Sequence, residues 1–198
     1  MQAHPSFDVP GRQNIIHPES NCLRSRSTSA VISREPIQYR EATSADVPAM
    51  AQARLTDPTA GTADPRMAAY FDGRHHPQQA LLPRVGYVAV ANNAVIGYIA
   101  GHRTRRLGCD GEVQYLYVTV QYRRQGVATA LLRVLAEWFR AQGVARVCVN
   151  VDAESPPAPP FYVRCGATPL SPYWYIWPDI GVLLEAPPAS AGQPPRAS

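Results

Sequence analysis

The sequence predicts an α/β chain of the α+β type, and three observations carry that reading. Asn92-Asn93 separates two β-rich runs, Gly86 to Ala91 and Ala94 to Arg105, at the spacing of a two-residue hairpin. An apolar, β-rich run from Glu112 to Val120 breaks at Gln121-Tyr122-Arg123-Arg124-Gln125-Gly126 and gives way to an amphipathic run that ends near Gln142. A second apolar run, Val144 to Val151, follows at once, so this helix connects two strands.

The remaining elements follow in order. Ile37 to Glu41 reads as a first strand. Thr43-Ser44-Ala45-Asp46 has the form of a helix cap, with Pro48 tolerated in the first turn of a helix reaching about Leu55. Pro65 to Phe71 reads as a second short helix closed by Asp72-Gly73, and Cys109-Asp110-Gly111 turns the chain into the strand from Glu112. After the turn, Ala128, Leu131, Leu132, Leu135, Trp138 and Phe139 recur at helical spacing and form a core-facing stripe. Gly143 stops that helix, and Val147 and Val149 share one face of the strand that follows. A short helix near Pro159 to Cys165 and a strand over Tyr173 to Trp177 complete the domain.

Both ends of the chain lack periodicity. Residues 1–36 mix Pro, Ser, Arg, Asn and Gln, and residues 186–198 are rich in Pro, Ala and Ser. Neither segment has the apolar surface to offset its ordering entropy, so both are expected to be disordered around a domain at 37–185. Length and a hydrophobic fraction of 45% suit one soluble domain. No apolar run has membrane-spanning length, and no charged start precedes an apolar core, so a cytoplasmic protein without membrane partners is expected. Cys22, Cys109, Cys148 and Cys165 show neither metal-ligand nor redox spacing, and no metal site is expected. All 19 basic residues are arginine, and the net charge is +4. The arginines form no dense stripe with interleaved aromatics, which argues against nucleic acid as a partner.

The turn before the long helix has the chemistry of a phosphate cradle. A helix start presents unpaired N–H groups and a partial positive charge. Gly126 admits an anion close to the backbone, Ala128 keeps the next turn slim, and Arg123 and Arg124 add charge. The spacing Arg123-x-x-Gly126-x-Ala128 also resembles the cofactor signature of the GNAT superfamily of N-acetyltransferases, usually Gln/Arg-x-x-Gly-x-Gly/Ala. The order of elements from about Ile37 to Leu184 resembles the whole fold of that family. That resemblance implies a mixed, mostly antiparallel sheet whose parallel fourth and fifth strands splay apart, with helices on both faces. It also implies acetyl-CoA as co-substrate, its pantetheine arm between the splayed strands.

The site expectations come from the same resemblance. Backbone N–H groups of Leu116, Tyr117 and Val118 would line the pantetheine and the thioester carbonyl, and those of Gln125, Gly126, Val127, Ala128 and Thr129 would surround the pyrophosphate. Ser155 stands where many members have a cofactor-holding asparagine, six residues before Phe161 in Phe161-Tyr162-Val163-Arg164-Cys165-Gly166-Ala167. In that motif Tyr162 takes the position of the proton donor to the CoA thiolate. Glu112 occupies the general-base position of the histone-acetylating branch, and strict alternation would set Glu112, Gln114, Leu116 and Val118 on one face. His102 reads as structural, and Asp57, Asp64 and Asp72 as solvated loop carboxylates near the acceptor side. The expected reaction is direct acetyl transfer to a primary amine, a small molecule or a protein N-terminus, in a ternary complex. Dimers are frequent in that family, so a homodimer joins the expectations. The alternative is an acyl-CoA-binding sensor without turnover.

Overall fold

The structure is a computed structural model that describes residues 36–55, 57, 65–151 and 158–185. The terminal segments 1–35 and 186–198 lie outside the described residues, as do Cys22, Asp64 and Ser155. The chain runs β1 (Gln38–Glu41), α1 (Val47–Leu55), α2 (Met67–Phe71), β2 (Ala80–Ala91), β3 (Ala94–Thr104) and β4 (Gly111–Val118). It continues through α3 (Val127–Ala141), β5 (Val147–Asn150), α4 (Ala158–Arg164), β6 (Thr168–Ser171), β7 (Trp174–Trp177) and α5 (Val182–Glu185). The strands form one sheet in the order β1-β2-β3-β4-β5-β7-β6.

Local chemistry explains most of these boundaries. Asn92 and Asn93 both adopt positive φ, the conformation a tight hairpin between β2 and β3 requires. Gly143, with φ of +68°, ends α3. A single turn of 3-10 helix at Ser44–Asp46 leads into α1, and the Asp46 carboxylate accepts the Thr43 backbone N–H at 2.9 Å, closing a capping box. The Arg40 guanidinium also grips Asp46, with both carboxylate oxygens engaged at 2.9 and 2.6 Å. The Arg40 hydrogen bond, with the Thr43 N–H beside it, lowers the Asp46 pKa to about 2. A folded-state value below the unfolded one stabilises the protein above the unfolded pKa of about 3.9, and that stabilisation fades as pH falls toward 2. Asp46→Asn is therefore expected to lower the thermal midpoint at pH 7 and to lose its effect near pH 2. Equal loss at both pH values would contradict this.

Two apolar layers flank the sheet. On one face Val127, Leu131, Leu132, Leu135, Ala136 and Phe139 of α3 pack on Ile96, Ile99, Val113, Val118, Val147 and Val149. Gly111 sits under the Phe139 ring, where an added Cβ would fall 2.5 Å from the ring edge, so glycine is what lets α3 approach β4. On the other face Met50 and Ala53 of α1 and Met67 of α2 pack on Val88, Tyr98 and Tyr117.

β4 and β5 are parallel, but their pairing covers only Gly111↔Val147, Glu112↔Cys148 and Val113↔Val149. Beyond that point β4 stays with β3 as far as Val118, and β5 turns to β7. The sheet is thus split at its middle, with the gap opening at the C-terminal ends of the two strands.

The sequence reading needs three corrections in these elements. β2 begins at Ala80 rather than Gly86, and β6 and α5 were not foreseen. The alternation along β4 is interrupted: Ala100 pairs with Tyr115 and Gly101 with Val113, so Gln114 is an extra, bulged residue. As a result Leu116 and Val118 join Val113 on the α3 face. Glu112 instead faces the α1–α2 side, where its neighbours are His102, Thr104 and Arg106.

Candidate active site

The gap between β4 and β5 brings main-chain groups and the start of α3 together. Thr119 donates its N–H to the Ile96 carbonyl at 2.9 Å, which makes Ile96/Thr119 and Tyr98/Tyr117 the hydrogen-bonded pairs of this antiparallel ladder. The alternate residues, Leu116 and Val118, therefore turn their main-chain groups away from β3 and into the gap. Tyr117 does not: its amide faces β3, which corrects the expectation of three consecutive amides along a pantetheine arm.

At the mouth of the gap, Arg124 and Gly126 both have positive φ and wrap the chain into α3. Among the described residues no side chain caps this helix. The N–H groups of Val127, Ala128 and Thr129 open the helix and so have no acceptor within it, leaving a concentrated anion-binding end. Gly126 has nothing within 4 Å of where a Cβ would sit, so the space above the turn is open. The Gln125 side chain donates to the Gln121 carbonyl at 2.6 Å and holds the turn closed.

Arg123 departs from its expected role. Its guanidinium pairs with Asp57, and its Nε donates to the Val118 carbonyl at 3.0 Å. Asp57 is buried, not solvated, and the Tyr117 hydroxyl lies 3.2 Å from its carboxylate and 3.0 Å from the Ala53 carbonyl. Burial, with the Asp57 charge adding to it, pushes the Tyr117 pKa up to about 12. Arg123 thus fastens the turn before α3 to the end of α1, and Arg124 is exposed on that turn.

Tyr162 lies on the α3 side of the gap. It is 6% exposed, with its ring edge-on to Trp177 at 5.8 Å between centroids. Burial raises its pKa above the ordinary tyrosine value, with Cys165 adding to the shift, so the hydroxyl holds its proton at neutral pH. Next to it, burial raises the Cys165 pKa, against which Arg164 and a hydrogen bond with Thr129 act. The Thr129 hydroxyl therefore turns to α4 as well as to the helix start.

Glu112 is one residue before the split. Its Oε2 accepts Arg106 Nε at 3.1 Å and lies 3.3 Å from the Thr104 hydroxyl, which also reaches the Gln79 carbonyl. Arg106 stacks over the Trp174 ring at 5.1 Å. His102 is directly across the ladder from Glu112, fully buried, and Tyr70 lies behind it. This polar array around Glu112 was the part of the site that sequence reasoning missed. Its one signal was His102 itself, on a strand rich in apolar residues. Glu112 and Tyr162 lie on opposite faces of the sheet, either side of the opening, and do not touch. Among the described residues no cluster of His, Cys, Asp or Glu is arranged to hold a metal ion. Among them, too, no helix is long and apolar enough to cross a membrane.

The family model for the acetyltransferase (GNAT) family matches residues 48–167, more than half of the chain. This chain belongs to the GNAT acetyltransferase family. The matched segment runs from α1 through the split strands to the end of the Tyr162 motif, so the GNAT region contains every described site residue. No curated protein matches the sequence. Among solved structures, a GNAT-family acetyltransferase from Staphylococcus aureus aligns with a TM-score of 0.56 at 13% identity, covering 72% of this chain and 98% of that one. PaiA N-acetyltransferase from Thermoplasma acidophilum, in complex with coenzyme A, gives 0.52 at 16% identity, covering 71% and 96%. The ribosomal-protein-S18-alanine N-acetyltransferase from Escherichia coli gives 0.51 at 18%, covering 71% and 91%. At such identities the likeness establishes the fold. The observed sheet, with its parallel β4/β5 pair and helices on both faces, is the GNAT fold expected from the sequence.

Proposed function

We propose that residues 37–185 form an N-acetyltransferase that moves the acetyl group of acetyl-CoA directly to a primary amine in a ternary complex. The observation that carries this reading is the gap beyond Val113 and Val149, edged by main-chain groups of Leu116 and Val118, with an uncapped helix start at its mouth. A pantetheine arm fits an opening with amides along one side, and a pyrophosphate fits the amides of Gly126, Val127, Ala128 and Thr129. The coenzyme A complex of the Thermoplasma protein supports the same donor. The acceptor is read as a small amine or a protein N-terminus. Free Cys109, Cys148 and Cys165 suit a reducing compartment, so we read the enzyme as cytoplasmic.

In this reading three groups divide the chemistry. Glu112, directly or through a water, removes the proton of the incoming ammonium. The amides facing the gap polarise the thioester carbonyl and hold the tetrahedral oxyanion. As the carbon–sulfur bond breaks, Tyr162, protonated at neutral pH like any tyrosine of ordinary or raised pKa, gives its proton to the departing thiolate.

The test is a thiol-release assay with acetyl-CoA over a panel of polyamines, amino acids, aminoglycosides and peptides with free N-termini. Turnover on one class is expected, and Tyr162→Phe should lower kcat on it roughly tenfold. Coenzyme A binding without turnover on any of them would favour the sensor alternative. Salt-dependent nucleic-acid affinity exceeding that for coenzyme A would point to an anion binder instead.

A further inference from the structure

Glu112 stands at the end of a line of buried polar groups that the chemistry above leaves without a task. His102 reaches both ways from the middle of that line. Its Nδ1 is 3.2 Å from the Tyr70 hydroxyl, and its Nε2 is 3.6 Å from Glu112 Oε2. The ring is fully buried, and Nε2 has no hydrogen-bond partner among the described residues. The charged and titratable groups around it are Tyr70 of α2, with the Arg84 guanidinium of β2 over its ring at 4.8 Å. Glu112 of β4 faces Nε2, Tyr115 of β4 meets the Tyr70 ring, and Arg106 after β3 and Cys148 of β5 lie beside Glu112.

The polarity of the line is fixed by what each atom can do. The only hydrogen bond of the Tyr70 hydroxyl among the described residues is to Nδ1, so its proton goes there. The ring then carries its own proton on Nε2, facing Glu112. The opposite tautomer would leave the hydroxyl proton unmet and point a lone pair at a carboxylate. Resting on the reading of Glu112 as the base, we propose that His102, held by Tyr70, is a positioning residue for that carboxylate. Arg106 Nε–H donates to Oε2, the Thr104 hydroxyl lies 3.3 Å from it, and His102 Nε2 faces it at 3.6 Å, just outside hydrogen-bond length. Oε1 has no hydrogen bond among the described residues and is the atom that receives the amine proton. The array sets the orientation of the base and takes up no proton itself.

The experiment compares kcat and the KM for acetyl-CoA in wild type, His102→Leu, His102→Gln, Glu112→Gln and the double variant His102→Leu/Glu112→Gln. His102→Leu should lower kcat roughly tenfold at unchanged KM, because a base moved by a fraction of an ångström loses alignment. His102→Gln, whose amide N–H can reach where Nε2 was, should recover most of it. In the Glu112→Gln background the leucine change should add nothing, since one variant acts through the other. If Glu112→Gln loses activity while His102→Leu keeps it, the positioning role is wrong and the base stands. If Glu112→Gln itself keeps wild-type kcat, both fall. Equal losses in the leucine and glutamine variants, or additive losses in the double variant, would mean a merely structural histidine. Should His102→Leu fail to fold, Tyr70→Phe removes a single oxygen from the line. It should lower kcat about threefold at an unchanged thermal midpoint, and an unchanged kcat would overturn the proposal.

Discussion

Glu112→Gln is expected to lower kcat on the preferred amine by about 10²- to 10³-fold, the usual range for loss of a general base. The KM for acetyl-CoA should hardly change, because the gap amides and the α3 start lie beyond Glu112 along the chain. Glutamine has nearly the same size and can still accept from Arg106 and Thr104 through its carbonyl oxygen. What it cannot do is take up a proton at neutral pH. Stability should also survive. Arg106 remains partly exposed, stacked on Trp174 and bonded to the Gln78 carbonyl, so it is not left as an isolated buried charge. The measurement is steady-state thiol release beside a thermal melt. Unchanged kcat on a well-used acceptor would remove Glu112 from the mechanism and leave the fold and donor site standing.

Gly126→Val should act on the other substrate. The residue holds φ at +83°, where a β-branched side chain is strained, so a stability loss of about 1–2 kcal/mol is expected. The side chain would meet no protein atom within 4 Å of its Cβ, so crowding inside the protein adds little. It would project instead into the open space over the helix start, where the proposed pyrophosphate lies. Displacing that group from one or two charge-assisted N–H contacts, at about 1.5–3 kcal/mol each, raises the KM for acetyl-CoA on the order of 10- to 100-fold or more. Gly126→Ala should fall between. Wild-type coenzyme A affinity in both variants, measured by calorimetry, would place the phosphates elsewhere.

The sequence made some parts of this molecule legible because their causes are local. The Asn92-Asn93 turn, the Thr43–Asp46 cap, the Gly143 stop and the apolar stripe of α3 each depend on residues within a few positions. β2 was clipped at its start because Leu81-Leu82-Pro83 contains a proline, which reads as a strand breaker although the chain continues through it. β6 was missed because all four of its residues are exposed and carry no apolar alternation. The site's polar contacts were illegible for a different reason. Asp57 finds Arg123 across 66 positions of sequence, and Tyr70 finds His102 across 32. Nothing in either neighbourhood marks those partnerships. Spacing located the turn before α3, and only the folded sheet showed that one of its two arginines is a fastener.

The bulge at Gln114 determines which face of the sheet the Glu112 carboxylate occupies. Counting from the amides of Leu116 and Val118 back to Glu112, an even step in a regular strand would return to the same face, the one roofed by Leu135 and Phe139. The additional residue changes the parity of that count and sends Glu112 through to the opposite side. Shortening β4 by that one residue would keep every proposed catalytic side chain in the sequence and bury the carboxylate in hydrocarbon. The proposed chemistry therefore depends on an odd number as much as on a residue type. A search for its functional relatives should weigh the length of this strand along with the glutamate.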